Sequence, residues 1–117
     1  MKMRRDEDAL SDLRQAVRLD GGYGDAYVDL AELAVRRGRI EEAEQLLSHA
    51  EGRNAAKWHY HTVTALAFVA SDRGEKAVGH LASALQEGHP RGLGLLEDLD
   101  WDPIRKLDSF AGLRLDR

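Results

Sequence analysis

Apolar residues recur along this chain every three or four positions, and polar residues fill the intervals. That period is typical of helices with one apolar face, whereas strands alternate every second position. The pattern predicts helices over residues 6–19, 25–37, 40–51, 55 or 57–71, and 75–86, and short helices over 88–117. Glycines lie between these segments, where the chain has to turn. The hydrophobic pattern therefore predicts helical hairpins joined by short turns.

The positions of proline and of β-forming residues agree with this interpretation. The two prolines, Pro90 and Pro103, leave residues 1–89 without that helix breaker. No stretch of six residues alternates β-branched and polar side chains, and no Asn-Gly or Asp-Gly turn joins two apolar runs. The predicted fold class is all-α.

Small and apolar residues also repeat at a spacing of 34 positions. The matched pairs are Ala31 and Ala65, Ala43 and Ala77, Leu47 and Leu81, and Ala50 and Ala84. Counting back another 34 positions from Ala43, Leu47 and Ala50 gives Ala9, Leu13 and Ala16. A pair of antiparallel helices cannot cover its own apolar face, and stacked pairs bury a continuous core. The spacing therefore predicts an α-solenoid of antiparallel helix pairs.

At these residues the chain resembles the tetratricopeptide repeat. The first-helix positions of one unit are Tyr27, Leu30, Ala31 and Ala34, followed by Ala43, Leu47 and Ala50 on the second helix. The next unit offers His61, Thr64, Ala65 and Phe68, followed by Ala77, Leu81 and Ala84. His61 and Thr64 depart from the pattern, which has an aromatic residue and leucine there, and Gly74 falls two residues later than Gly38. The resemblance covers residues 6–90 and implies about two and a half units.

The C-terminal residues are similar to the segments that close many bacterial tetratricopeptide proteins. The similarity rests on residues 96–105, which form an acidic turn and a proline-initiated helix start, and on Phe110 and Leu113. It implies a short helical cap over residues 91–117, since the last helix pair would otherwise expose its apolar face. The apolar residues of this cap are Trp101, Ile104, Leu107, Phe110 and Leu113. Residues 1–117 are accordingly expected to form a single domain.

Composition narrows the classes of function. Seventeen Lys and Arg residues against 21 Asp and Glu give a formal net charge of −4, which argues against nucleic-acid binding. The longest apolar run, residues 65–70, is far shorter than the ~20 residues that cross a bilayer. Acidic residues 6–8 follow the basic start where a signal sequence would have its apolar core. We expect a cytoplasmic protein without membrane contact.

A search for reactive groups finds none with the required spacing. The chain has no cysteine, and its five histidines do not form a metal-binding motif on one helix face. Asp98, Asp100 and Asp102 alternate like the start of a calcium loop, but Pro103 and Ser109 replace its glycine and glutamate, which favours a solvated turn. We therefore expect no catalytic residue, metal or cofactor, and no enzymatic activity.

By analogy with the family, a protein or peptide partner is expected in a concave groove lined by the first helices. The candidate residues are Asp25, Val28, Asp29, Glu32, Arg36, His59, Thr62, Val63, Leu66, Val69 and Arg73. Their mixture of acidic and apolar side chains suits a peptide with basic and apolar residues. In an alternative arrangement the C-terminal segment covers Val63, Leu66 and Val69 and leaves little groove.

A structural protein that assembles with itself is the alternative function. The predicted helix over residues 6–19 resembles the second helix of a unit that lacks its first helix, so one apolar side would be uncovered. This interpretation predicts a homodimer, or a larger homo-oligomer formed through that helix or through the solenoid ends.

Overall fold

In a computed structural model, the described parts of the chain, residues 24–51 and 55–115, contain five α-helices and two 3-10 helices. The α-helices are α1 (Gly24–Arg36), α2 (Ile40–Ala50), α3 (Lys57–Ala70), α4 (Gly74–Gln86) and α5 (Asp108–Leu115), and the 3-10 helices span Gly92–Glu97 and Leu99–Ile104. No strand occurs in these two stretches. The all-α prediction and the four helices predicted over residues 25–86 are confirmed. The helix predicted over 6–19 lies outside the described residues.

The chain divides into two compact units, Met1–Ala56 and Lys57–Arg117. In the first unit α1 packs against α2, and in the second unit α3 packs against α4. The residues that follow α4, 92–115, are called the tail below. One domain over residues 1–117, with repeats over 6–90 and a cap over 91–117, stays a prediction.

Alanine occupies the interior positions of both hairpins. Ala31 on α1 and Ala43 on α2 are fully buried, and so are their counterparts 34 positions later, Ala65 on α3 and Ala77 on α4. Helix axes come closest where the side chains between them are small. The leucines of the repeat, Leu47 and Leu81, are also buried. The repeat spacing read from the sequence therefore marks the residues that pack inside each hairpin.

The two hairpins turn through the same backbone motif, built from different residues. Gly38 has φ of 77° after α1, and 34 positions later Asp72 has φ of 60° after α3. The following residue closes the turn in each hairpin, as when the Arg39 N–H donates to the carbonyl of Ala34 at 2.8 Å. Asp is one of the few residues other than Gly that enter this left-handed region. Asp72 thus fills the place of Gly38, which explains why Gly74 lies two residues later.

Gly74 instead allows the tail to approach the start of α4. A Cβ atom at this position would lie 3.0 Å from Ile104 Cγ2 and 3.0 Å from Leu107 Cδ1. Real Cβ atoms seldom come this close to another side chain, so the absent side chain makes room for the tail. This glycine therefore has a packing role and is not the residue that turns the chain.

Polar contacts inside the tail hold its two 3-10 helices together. The Trp101 indole is buried, and its Nε1–H donates to the carbonyl of Leu95 at 2.9 Å. Arg105 donates to the carbonyls of Leu96 and Asp98 at 2.7 and 2.6 Å. These carbonyls lie at the end of a short helix, where no further turn supplies an N–H donor.

The tail packs on the helices of the second unit. Leu99–Ile104 lies against α3 and α4, and α5 lies against α4. The Ser109 hydroxyl donates to the Glu75 carboxylate at 2.8 Å, which joins the first turns of α5 and α4. The expected helix start at Pro103 is wrong, because Pro103 lies within a 3-10 helix and the α-helix begins at Asp108.

Two glycine substitutions are expected to change stability in opposite directions. Gly38→Ala places a side chain in the left-handed region and should lower the free energy of unfolding by about 1 kcal/mol. Gly79→Ala lies in the exposed interior of α4 with open space around the new Cβ, and should raise it by about 0.5–1 kcal/mol. Urea unfolding measures both values, and changes of the same sign would contradict the described backbone.

Candidate functional site

The residues predicted for partner binding come from the first helix of each hairpin. On α1, the side chains of Asp25, Asp29, Glu32 and Arg36 recur at three- or four-residue intervals, so they follow one helix face. We call these four residues the α1 stripe. Arg36 is exposed and the other three are intermediate in burial, whereas Val28 between them is fully buried. Val28 is therefore part of the core.

Asp25 has a structural contact at the start of the α1 stripe. Its Oδ1 atom accepts a hydrogen bond from the backbone N–H of Ala56 at 3.0 Å. The contact joins residues 31 positions apart and links Ala56, at the end of the first unit, to α1. A hydrogen bond to a charged acceptor is stronger than one between neutral groups. Asp25 therefore acts in holding the unit together.

Glu32 and Arg36 form an ion pair in the middle and at the end of the same stripe. The Arg36 Nη2 and Nε atoms lie 3.0 and 3.2 Å from Glu32 Oε2. Both side chains remain partly exposed, at 35% for Glu32 and 49% for Arg36. Such a surface pair is weak, so a charged group of a partner can compete for either member. The pair also reduces the acidic character that the sequence suggested for this face.

On α3 the predicted residues divide between surface and interior. His59, Thr62 and Val69 are intermediate in burial, and Arg73, in the turn between α3 and α4, is exposed. We call these four residues the α3 stripe. The five successive residues 63–67 are all buried, including the predicted binding residues Val63 and Leu66.

The burial of Val63 and Leu66 follows from the surroundings of α3. A helix whose side chains are buried on most sides is enclosed by other elements. Here α4 and the 3-10 helix Leu99–Ile104 both pack on α3. The sequence left open whether the C-terminal segment covers Val63, Leu66 and Val69; in the structure the tail packs on α3, the helix that carries these residues.

The members of the α3 stripe also contact neighbours on their own unit. The Thr62 hydroxyl donates to the carbonyl of Trp58 at 2.7 Å, and the His59 ring lies 5.5 Å from the Trp58 ring. The Arg73 guanidinium lies 5.8 Å from the centre of the Phe68 ring, at a distance that gives a cation–π attraction. These contacts orient the side chains without removing them from solvent.

A pair of histidines was not found from the sequence. His61 on α3 and His80 on α4 bring their Nδ1 atoms within 3.0 Å, and we call them the imidazole pair. The His80 ring stacks on Phe68 at 5.3 Å, and Tyr60 meets His61 edge-on at 5.4 Å. His61 stands where the repeat pattern has an aromatic residue, and it pairs with a histidine on the second helix of the hairpin.

Burial changes the acidity of the imidazoles. It is the main cause that lowers the pKa of His61, with a smaller lowering by Lys57 and an opposing effect of Glu87. Burial also lowers the pKa of His80, and the neighbouring charge of His61 adds to this. The pKa of His89 is lowered in the same direction, chiefly by burial beside Trp58, whose ring lies 4.9 Å away.

Two of the three aspartates that resemble a calcium loop accept hydrogen bonds from arginines. Both carboxylate oxygens of Asp98 accept hydrogen bonds from Arg91, at 2.8 and 2.9 Å, and Asp102 accepts one from Arg105 at 2.7 Å. Within residues 24–51 and 55–115, no cluster of three or more His, Asp or Glu residues could hold a metal ion. No helix in that part of the chain has the length and hydropathy of a membrane span.

Comparison with known proteins gives one match. The sequence profile of a family described as tetratricopeptide repeat matches residues 5–67, which is more than half of the 117 residues. Neither the curated proteins nor the solved structures include a match to the chain.

Two substitutions on the α1 stripe separate a structural residue from a surface residue. Asp25→Ala removes the acceptor of the Ala56 N–H and should lower the free energy of unfolding by about 1 kcal/mol. Arg36→Ala removes a solvent-exposed ion pair and should cost less than about 0.5 kcal/mol. Chemical denaturation of both variants gives the comparison. A larger loss for Arg36→Ala would contradict the assigned roles.

Proposed function

Because the chain belongs to the tetratricopeptide repeat family, we propose that it is a non-catalytic module that binds a protein or peptide through the α1 and α3 stripes. Members of this family generally mediate protein–protein interactions. The family match is the observation that carries the proposal. The stripes support it because they are the faces of the first helices that remain accessible beside a buried core.

The chemistry of the two stripes indicates the kind of partner. On α1, the carboxylates of Asp29 and Glu32 are partly accessible and attract basic side chains, and Asp25 accepts a hydrogen bond from Ala56. On α3, Val69 offers an apolar surface and Arg73 a cation. Basic side chains of a partner are complementary to the α1 stripe, and apolar and acidic side chains are complementary to the α3 stripe. The buried candidates Val28, Val63 and Leu66 are not part of the proposed surface.

Charge reversals on each stripe test the proposal. The probe is a set of peptides selected from a random display library on the immobilised native chain, with affinities then measured by fluorescence anisotropy. Asp29→Lys and Arg73→Glu should each weaken binding by about tenfold, the effect of losing about 1.4 kcal/mol. Glu44→Lys reverses a charge on an exposed site of α2 and serves as the matched control, with unchanged affinity. Circular dichroism verifies that each variant is helical.

Two outcomes would contradict this function. Equal affinities of all three variants would remove both stripes from the binding surface. A chain that selects no peptide, and whose sedimentation coefficient rises with its own concentration, would favour the self-assembling homo-oligomer.

The cytoplasmic location and the bacterial origin stay predictions from the sequence.

A further inference from the structure

The facing nitrogens of the imidazole pair have room for one hydrogen atom between them. The Nδ1 atoms of His61 and His80 are 3.0 Å apart while the ring centres are 5.2 Å apart, so the rings meet at their nitrogen edges. An imidazole nitrogen that carries a proton only donates, and a bare one only accepts. The contact is therefore a hydrogen bond when one Nδ1 is protonated. When both are protonated, two N–H groups and two positive charges face each other.

The charges of the α3–α4 hairpin act on the imidazole pair in both directions. Lys57 on the same helix acts on His61 as a further positive charge, and Glu87 at the end of α4 acts in the opposite sense. Phe68, which stacks on His80, has two cations near its ring, Arg73 at 5.8 Å and Lys76 at 5.9 Å. Of the charges outside the pair, Glu87 acts on His61 more strongly than Lys57, so the repulsion between the two imidazoles themselves is what disfavours a second proton.

The tail also packs on α3 and α4, but its charged residues are not among the groups that shift the pKa values of the imidazole pair. Arg105 donates to carbonyls of the tail itself and to Asp102. Glu75, on the first turn of α4, accepts a hydrogen bond from Ser109. The charged residues that act on the imidazole pair are therefore those of the α3–α4 hairpin.

A proton fits between these nitrogens better than a metal ion does. Zinc sites in proteins use three or four protein ligands, with nitrogens about 2.0 Å from the metal. In the part of the chain that the structure describes, no third His, Asp or Glu joins the two histidines as a metal-binding group. The two imidazoles already satisfy each other by a hydrogen bond.

We propose that the imidazole pair is a pH-sensitive latch between α3 and α4. The latch is closed while the facing nitrogens hold one proton, and it opens when both hold one, because the hydrogen bond is then replaced by repulsion between two cations. Opening loosens the second hairpin. This inference stands apart from the proposed partner binding, since it concerns the inner contact of one hairpin.

The direction of the pH effect follows from the lowered pKa values. Burial keeps the pKa of His61 and His80 in the folded protein below the ordinary value of 6.5, so the unfolded chain takes up protons first as the pH falls. As the pH falls, stability decreases over any range in which the unfolded state binds more protons than the folded state. The contribution of the latch is therefore complete above pH 6.5 and is lost as the pH falls through the lowered pKa values.

The test compares the native chain with His61→Asn. The Asn amide can donate to a neutral His80 and can accept from a protonated one, so the contact no longer depends on pH. Imidazole ¹⁵N resonances, followed from above the first protonation step to below the second, report the titration. Amide hydrogen exchange, corrected for the intrinsic effect of pH, reports the opening of α4. His49→Gln, an exposed substitution on α2, is the control.

In the native chain and in His49→Gln we expect the pair to take up its two protons in separate steps. Protection of the α4 amides should fall by about tenfold across the second step. An interaction that shifts the pKa of one imidazole by one unit corresponds to that factor. In His61→Asn the loss of protection should be several-fold smaller, because only the burial of a single imidazole then opposes protonation. If that variant is not helical by circular dichroism, His80→Asn makes the reciprocal test. A single common protonation step, or equal loss of protection in the native chain and the variant, would overturn the proposal.

Discussion

The close packing of alanines between antiparallel helices is the constraint on which both hairpins depend. Ala31 and Ala43 in the first unit, and Ala65 and Ala77 in the second, are fully buried, and in each unit the two helices that carry them pack against each other. Small side chains at these positions allow the helices to approach, and this fixes which face of each first helix turns inward. The stripes on α1 and α3 are therefore a consequence of the packing, since they carry the polar residues that the inward faces exclude.

The second hairpin has the same pairing of helices as the first hairpin but differs from it in three features. Asp72 adopts the left-handed conformation that Gly38 provides in the first turn, and Gly74 makes room for the tail. His61 and His80 place a hydrogen bond at a position where the repeat pattern has an aromatic residue. Paired polar groups are tolerated in such a contact because each satisfies the other. The contact between the two histidines also responds to protonation, whereas a phenylalanine or a tryptophan at the position of His61 would not.

Sequence periodicity predicted the helices and the repeated alanines because these depend on local spacing. It could not predict contacts between residues that are distant in the chain. The Asp25 hydrogen bond spans 31 positions, and the imidazole pair spans 19 positions and two helices. The candidate site was affected in a similar way, since analogy with the family put Leu66 in the concave groove, but the residue is buried in α3, on which the tail packs.

Equilibrium unfolding of Ala77→Leu tests the central role of alanine packing most directly. Ala77 is fully buried on α4, so three additional carbon atoms must push the helices apart or strain their side chains. The free energy of unfolding should fall by about 1–3 kcal/mol. Ala70→Leu makes the same change at an exposed position of α3 and should alter stability by less than about 0.5 kcal/mol. Equal stability of the two variants would contradict the claim that close approach of the helices determines this fold.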